Sequence, residues 1–205
     1  PMRADAVAEG DLSAIRAAIL KSRLPRDLAN DLARAYLQLG VREQADHTVA
    51  VRSSATAEDS ASFSFAGLHD TVLGVRGLED LEAAVKRCWA SLWTLRAVSY
   101  RTQNGLGADE SAIAVVVQQM VRSDVSFIAF TADPVTGRTD RIVIDASWGL
   151  GEALVSGLVT PDHAVLDAAG NLIDYGIGEK GSMIVPTVDG TGTREVAVPR
   201  SLRSI

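Results

Sequence analysis

The chain has a single cysteine, Cys88, among its 205 residues. One thiol excludes an intrachain disulfide. Cys88 lies in an apolar helical pattern, so a small buried hydrophobe is expected there rather than a nucleophile. Histidine is nearly as scarce. His47, His69 and His163 show no metal-ligand spacing with one another or with Cys88, so no metal site is expected from them. No apolar run reaches the roughly 18 residues of a membrane-spanning helix. The first residues, from Pro1, carry no apolar signal-peptide core, and a reducing, cytoplasmic setting is expected. Positive charge is not in excess: 20 Lys and Arg face 26 Asp and Glu, a net charge of −6. The basic residues are scattered, so neither a nucleic-acid surface nor a membrane surface is expected. Two catalytic signatures are also missing. Without Gly-x-x-x-x-Gly-Lys-Ser/Thr there is no P-loop, and without Gly-x-Ser-x-Gly there is no hydrolase nucleophile elbow.

What remains is ordinary globular material, 47% hydrophobic and 22% charged. It suffices for one large or two small domains with a proper core. Apolar spacing predicts helices over 11–24 and from Pro25 to a stop at Gly40. The longest predicted helix runs over 77–100, with Leu78, Leu81, Ala84, Val85, Cys88, Leu92 and Leu95 at a period near 3.6. Trp89 and Trp93 share a face of it, suited to core packing or, alternatively, to base stacking. Strands are expected over 47–51 and 70–75. Beyond Gly107 the period shortens, and strands are expected over 113–121, 126–131, 141–146, 164–167, 172–177 and 193–198, with a short helix within 149–156. The fold class is therefore α+β, with a helical front half and a sheet-rich, mainly antiparallel back half. A helical part, 1–45, would precede a part that carries the chemistry, 46–205.

The chemistry centres on Val51-Arg52-Ser53-Ser54-Ala55-Thr56-Ala57-Glu58-Asp59. An apolar strand ending at Arg52 and followed by small residues brings backbone N–H groups and hydroxyls together beside a permanently charged fork. That combination suits a polyphosphate. Residues 53–69 read as a loop. Within it Gly67 allows close backbone approach, and the Thr71 hydroxyl can donate to a phosphate oxygen; a plain glycine hairpin is the alternative. In the strand Val115-Val116-Val117-Gln118-Gln119-Met120-Val121, alternation puts Gln118 and Gln119 on opposite faces. One amide would then face a pocket of the kind that reads a purine edge, or the run is an edge strand with a polar exit. Asp133-Pro134-Val135-Thr136-Gly137 is a turn, with a catalytic Asp133 as the lesser reading. Gly149-Leu150-Gly151 leads into a helix, either as an anion contact or as a tight turn. Asp145 and Glu152 are candidates for orienting a cation or a basic side chain.

Several stretches in this order, VRSSATAED, SFAG-x-x-DT, RCWASLW-x-x-RA-x-x-YR-x-QNG, AVVVQQMV, FTADPVTG and IDASWGLGEALVSGLVTPD, resemble the ATP-binding domain of the pyruvate phosphate dikinase and phosphoenolpyruvate synthase superfamily. The wording of YR-x-QNG and DASWGLGEALVSGLV is most similar to rifampin phosphotransferases. The resemblance implies an ATP-grasp-like domain. It also implies a dikinase that splits ATP to AMP and phosphate and passes the β-phosphate to a histidine on a separate swivelling domain. From there it goes to an acceptor on a further domain, a rifamycin or, in the synthases, pyruvate. A degenerate nucleotide-binding module without catalysis is the reading from a different class. On this resemblance Arg52 is the catalytic and ATP-phosphate arginine, Gly67 and Thr71 close over the phosphates, Gln118 contacts the nucleotide, and Met120-Val121 lie beside the adenine. The family's phosphate-gripping lysine and its magnesium ligands are expected outside this sequence, so 1–205 is expected to be a partial ATP-binding domain, used with ATP and Mg2+. Two departures stand out: Phe127 replaces a glycine, and Leu68-His69 replace two glutamines.

Overall fold

Three valine-rich strands and one amphipathic helix make the first core. The computed structural model describes residues 9–39, 48–55, 70–105, 112–187 and 191–203. They divide into two compact units, Pro1–Met120 with Val188–Gly192, and Val121–Thr187 with Thr193–Ile205.

In the first unit, α1 (Glu9–Lys21) and α2 (Arg26–Gln38) precede strand β1 (Val49–Ala55), β2 (Thr71–Val75), helix α3 (Leu78–Ser91), helix α4 (Leu95–Gln103) and strand β3 (Ile113–Gln119). The strands form an antiparallel sheet in the order β2-β1-β3. Leu81, Ala84, Val85 and Cys88 recur at three- and four-residue intervals and form one buried stripe of α3. That stripe packs on Val49, Val51 and Val75, with Val72, Val115, Val117 and Trp89 around them. Tyr36 of α2 closes the cluster, its hydroxyl accepting from Gly77 N at 3.0 Å. Cys88 is fully buried, as its helical setting suggested. Burial, with Asp70 nearby, pushes its thiol from about 9.0 up to about 11, which makes it inert at neutral pH.

Pairing in β2 departs from a simple period of two. Val49 sits opposite Val75, but Val51 sits opposite Val72, so a bulge inserts one extra residue in β2. The bulge lets two valines three positions apart face the same core. Gly74 makes it possible with φ of 66°, and a Cβ there would stand 2.4 Å from the carbonyl oxygen of Gly192. Gly192 N also donates to Gly74 O at 2.7 Å.

Three expectations need correction. The predicted helix over 77–100 is two helices. Ser91 Oγ donates back to Cys88 O at 2.7 Å, and Thr94 adopts an extended conformation to cap α4, accepting from Ala97 N at 3.2 Å. The local hydroxyls compete with the helical ladder and restart it. Leu78 and Leu95, expected on the buried stripe, are 41% and 51% exposed. The strand expected over 47–51 instead runs through Arg52 to Ala55, so residues 53–55 are not loop.

The second unit holds β4 (Val125–Phe130), β5 (Arg141–Trp148), the short helix α5 (Glu152–Val155), β6 (Asp162–Asp167), β7 (Leu172–Gly176), β8 (Ser182–Pro186) and β9 (Thr193–Ala197), then a 3₁₀ turn, Arg200–Leu202. Strands β4-β5-β6-β7 make an antiparallel meander, and β8-β9 an antiparallel pair. Strand β8 was not expected from the sequence. A buried ion pair braces this unit. Lys180 is 1% exposed and donates to Asp162 Oδ1 and, at 3.3 Å, to Gly178 O, while Gly178 N donates to the same carboxylate oxygen at 2.9 Å. No described helix is long and apolar enough to cross a membrane.

Candidate functional site

The sheet of the first unit has two faces, and burial assigns each strand position to one of them. Val49 and Val51 of β1 and Val115 and Val117 of β3 belong to the core packed on α3. By alternation, Ala50, Arg52 and Ser54 of β1 and Ala114, Val116 and Gln118 of β3 lie on the opposite, outer face. The register agrees, pairing Ala50 with Gln118, Arg52 with Val116 and Ser54 with Ala114. Arg52 is also the partner of Thr71 in β2. Directly paired residues share a face.

Three of the residues expected from the sequence are thus brought together. Arg52, Thr71 and Gln118 are exposed on one face of one sheet. Arg52 is flanked by Thr71 on one side and Val116 on the other, and Gln118 stands diagonally across. Among the described residues no hydrogen bond or ion pair engages the Arg52 guanidinium. Alternation alone left open which glutamine faces which way; burial of Val115 and Val117 puts Gln118 on the side of Arg52 and Gln119 on the other. Gly67 lies outside the described residues, as do His47, Thr56, Ala57, Glu58, Asp59, Leu68 and His69.

The way Arg52 is presented differs from a loop cradle. Ser53, Ser54 and Ala55 pair with Val115, Ala114 and Ile113. Their backbone groups that point at β3 belong to the ladder and are not free to wrap an anion. What the outer face offers is side chains: a planar cationic fork, a hydroxyl and an amide. Met120 follows directly. Its Sδ accepts from Thr48 Oγ1 at 3.6 Å and from Gly74 N at 3.2 Å, which pins the end of β3 to β1 and β2.

The other sequence candidates lie in the second unit. Asp133 caps its own turn: Oδ1 accepts from Val135 N at 2.8 Å and Thr136 N at 3.2 Å, and Oδ2 from Thr136 Oγ1 at 2.5 Å. The Thr136 hydroxyl and these amides hold its carboxyl below the usual range although it is exposed. Those bonds explain the residue as a turn former. Gly149 has φ of 76°, and a Cβ would meet Ile184 O at 2.4 Å. Its glycine is required by the close approach of β8, and α5 is only four residues long. The Gly-Leu-Gly run is therefore a tight strand-to-helix turn. Asp145 does orient a basic side chain, taking His163 Nδ1 at 2.8 Å across the β5–β6 pair. Glu152 accepts from Thr193 Oγ1 at 3.1 Å. Trp93 lies under the guanidinium of Arg101, 5.9 Å from its ring centroid, and Arg101 donates to Leu92 O at 2.7 Å. That partly buried setting is packing, not an open stacking platform. Among the described residues no group of three or more His, Cys, Asp or Glu side chains converges to hold a metal, so these residues do not fit a magnesium site.

Sequence reasoning did not reach Val116, which occupies the outer face beside Arg52, or the Lys180–Asp162 pair. The strict alternation of β3 was the available signal for the first. For the second there was none, because an 18-residue separation has no local pattern.

Residues 5–205 match the family model described as pyruvate phosphate dikinase, AMP/ATP-binding domain. A phosphoenolpyruvate synthase of Pyrococcus furiosus is 44% identical over 192 residues, covering 92% of this chain and 24% of that protein. Rifampicin phosphotransferases of Bacillus cereus and Streptomyces sviceus are 49% and 46% identical, covering 73% and 90% of this chain and 17% and 20% of theirs. The chain thus spans between 17% and 24% of the length of these three curated relatives. With a family model covering nearly its whole length, the chain belongs to the pyruvate phosphate dikinase AMP/ATP-binding domain family.

Proposed function

We propose that the outer face of the β2-β1-β3 sheet is one wall of an ATP site in a dikinase. The observation that carries this reading is the placement of Arg52, Thr71 and Gln118 on a single exposed face, with Arg52 free of described partners. Arg52 supplies charge to the β- and γ-phosphates and to the phosphoryl group in transit. Phosphoryl transfer depends mainly on positioning and electrostatic stabilisation, so a fixed guanidinium has a direct use there. Thr71, beside it, donates its hydroxyl to a phosphate oxygen, Gly67, four positions earlier in the sequence, has the role of closing over the phosphates, and Gln118 holds the nucleoside end. The domain is ATP-grasp-like, 1–205 being a partial ATP-binding domain with its helical part at 1–45 and its nucleotide-binding part at 46–205. Mg2+ accompanies the nucleotide, on ligands outside this chain.

In the whole protein the β-phosphate passes through a phosphohistidine on a swivelling domain to an acceptor, in a cytoplasmic setting. A rifamycin is the proposed acceptor, supported by the YR-x-QNG and DASWGLGEALVSGLV wording and by relatives at 49% and 46% identity. Pyruvate is the second reading, supported by synthases at 44% identity over 92% of the chain. A non-catalytic nucleotide-binding module is the third reading, supported by Phe127, a bulky ring where the family resemblance implies a glycine, which is 66% exposed on β4. Incubating the full-length protein with Mg-ATP and either rifampin or pyruvate, and assaying AMP, separates the three. AMP formed only with rifampin supports the first, AMP formed only with pyruvate the second, and nucleotide binding without AMP the third.

A further inference from the structure

The register of β1 and β3 makes a parallelogram of outer-face positions. Arg52 and Gln118 occupy one diagonal, and Ala50 and Val116 the other. Diagonal neighbours on such a sheet lie roughly 7–8 Å apart. A ligand that engages both the Arg52 fork and the Gln118 amide must cross the second diagonal. Ala50 is already covered, at 4% exposed, whereas Val116 is 45% exposed. Val116 is therefore the open apolar corner over which such a ligand passes. On the side away from Gln118 its neighbours are Ala114, two positions away on β3, and Ser54, which pairs with Ala114, so small side chains leave space on that side.

We propose that Val116 is a ligand-contacting residue, the apolar seat for the nucleoside part of a nucleoside triphosphate whose phosphates lie at Arg52 and Thr71. This rests on the ATP reading above and adds an order along the face: phosphates at β2 and β1, the sugar or ring on Val116, the base edge at Gln118. A β-branched side chain cannot fold aside, so its bulk sets how closely the nucleoside approaches.

The test compares Mg-ATP with inorganic tripolyphosphate, which has no nucleoside, by calorimetric titration of the full-length protein. Val116→Ala removes two methyl groups' worth of contact and is expected to weaken Mg-ATP roughly 5- to 10-fold, leaving tripolyphosphate unchanged. Val116→Trp overfills the corner and is expected to weaken Mg-ATP more strongly still. Arg52→Ala weakens both ligands. Val135→Trp, at a turn tip 91% exposed, changes neither. Unfolding midpoints of the Val116 variants are expected to match the parent. Unchanged Mg-ATP affinity in both Val116 variants, with Arg52→Ala impaired, overturns the seat and leaves the ATP reading standing. Equal weakening of both ligands in Val116→Ala, with a lowered unfolding midpoint, also overturns it, in favour of a structural role. Absence of Mg-ATP binding by the parent overturns the ATP reading and the seat with it.

Discussion

On the inner face of the three-stranded sheet, Val49 and Val51 are wholly buried and Val115 and Val117 pack beside them against α3. On the outer face of the same strands, one residue away in each case, Arg52, Val116 and Gln118 stand exposed. Both faces share one backbone and one register, yet one packs on α3 and the other presents Arg52, Val116 and Gln118 to solvent. Alternation separates the two tasks residue by residue. A change at Val49 or Val51 should therefore act on stability, and a change at Arg52 on ligand, with little crossover.

The largest expected effect is on chemistry. Arg52→Ala in the full-length enzyme should lower AMP-forming phosphoryl transfer by about 10³-fold or more, with an unchanged denaturation midpoint. Loss of the fold in that variant would break the comparison at its centre. Its mirror image is Val51→Ala, expected to cost roughly 2–3 kcal/mol of stability through lost burial and an unfilled cavity. Nucleotide affinity under native conditions should stay near that of the parent, as read by denaturant titration alongside calorimetry.

How far each face was readable from the sequence follows the same division. Helix α3 and strands β1 and β3 were legible because their apolar residues repeat at 3.6 or 2. The break at Leu92–Thr94 was not, because apolar residues continue across it and only the Ser91 and Thr94 hydroxyls mark the restart. The valine spacing of β2 hid its register, since Val72 and Val75 face one way only through the bulge at Gly74. The small residues after Arg52 read as a loop because Ser and Ala are poor strand signals; pairing with β3 overrides that preference. Arg52, Thr71 and Gln118 were legible as types suited to a nucleotide. Their shared face needed the register, and Val116 needed the face.

Gly74→Ala sharpens the point about β2. It forces a Cβ onto a left-handed backbone and against Gly192 O, and is expected to destabilise the first unit by roughly 1–2 kcal/mol, measurable as a shifted denaturation midpoint. Thr71→Val, which keeps shape and removes one hydroxyl, should weaken Mg-ATP about 5- to 10-fold, the worth of one net hydrogen bond, without moving that midpoint. The smallest effect is that of Cys88. Its folded thiol titrates near 11 and its unfolded one near 9.0. The unfolded chain therefore loses its proton first. The contribution of Cys88 to stability is full below pH 9 and declines as pH rises toward 11. Thiol-reagent labelling at pH 8 should be slow in the native protein and rapid in denaturant, and Cys88→Ala should flatten that alkaline decline.

The most direct test of the two-faced sheet is a methyl-resolved NMR titration of valine-labelled protein with Mg-ATP. Saturating nucleotide should shift the Val116 methyl resonances while those of Val51, Val115 and Val117 stay in place. Shifts confined to the inner valines, with Val116 unmoved at saturation, would contradict a nucleotide site on the outer face.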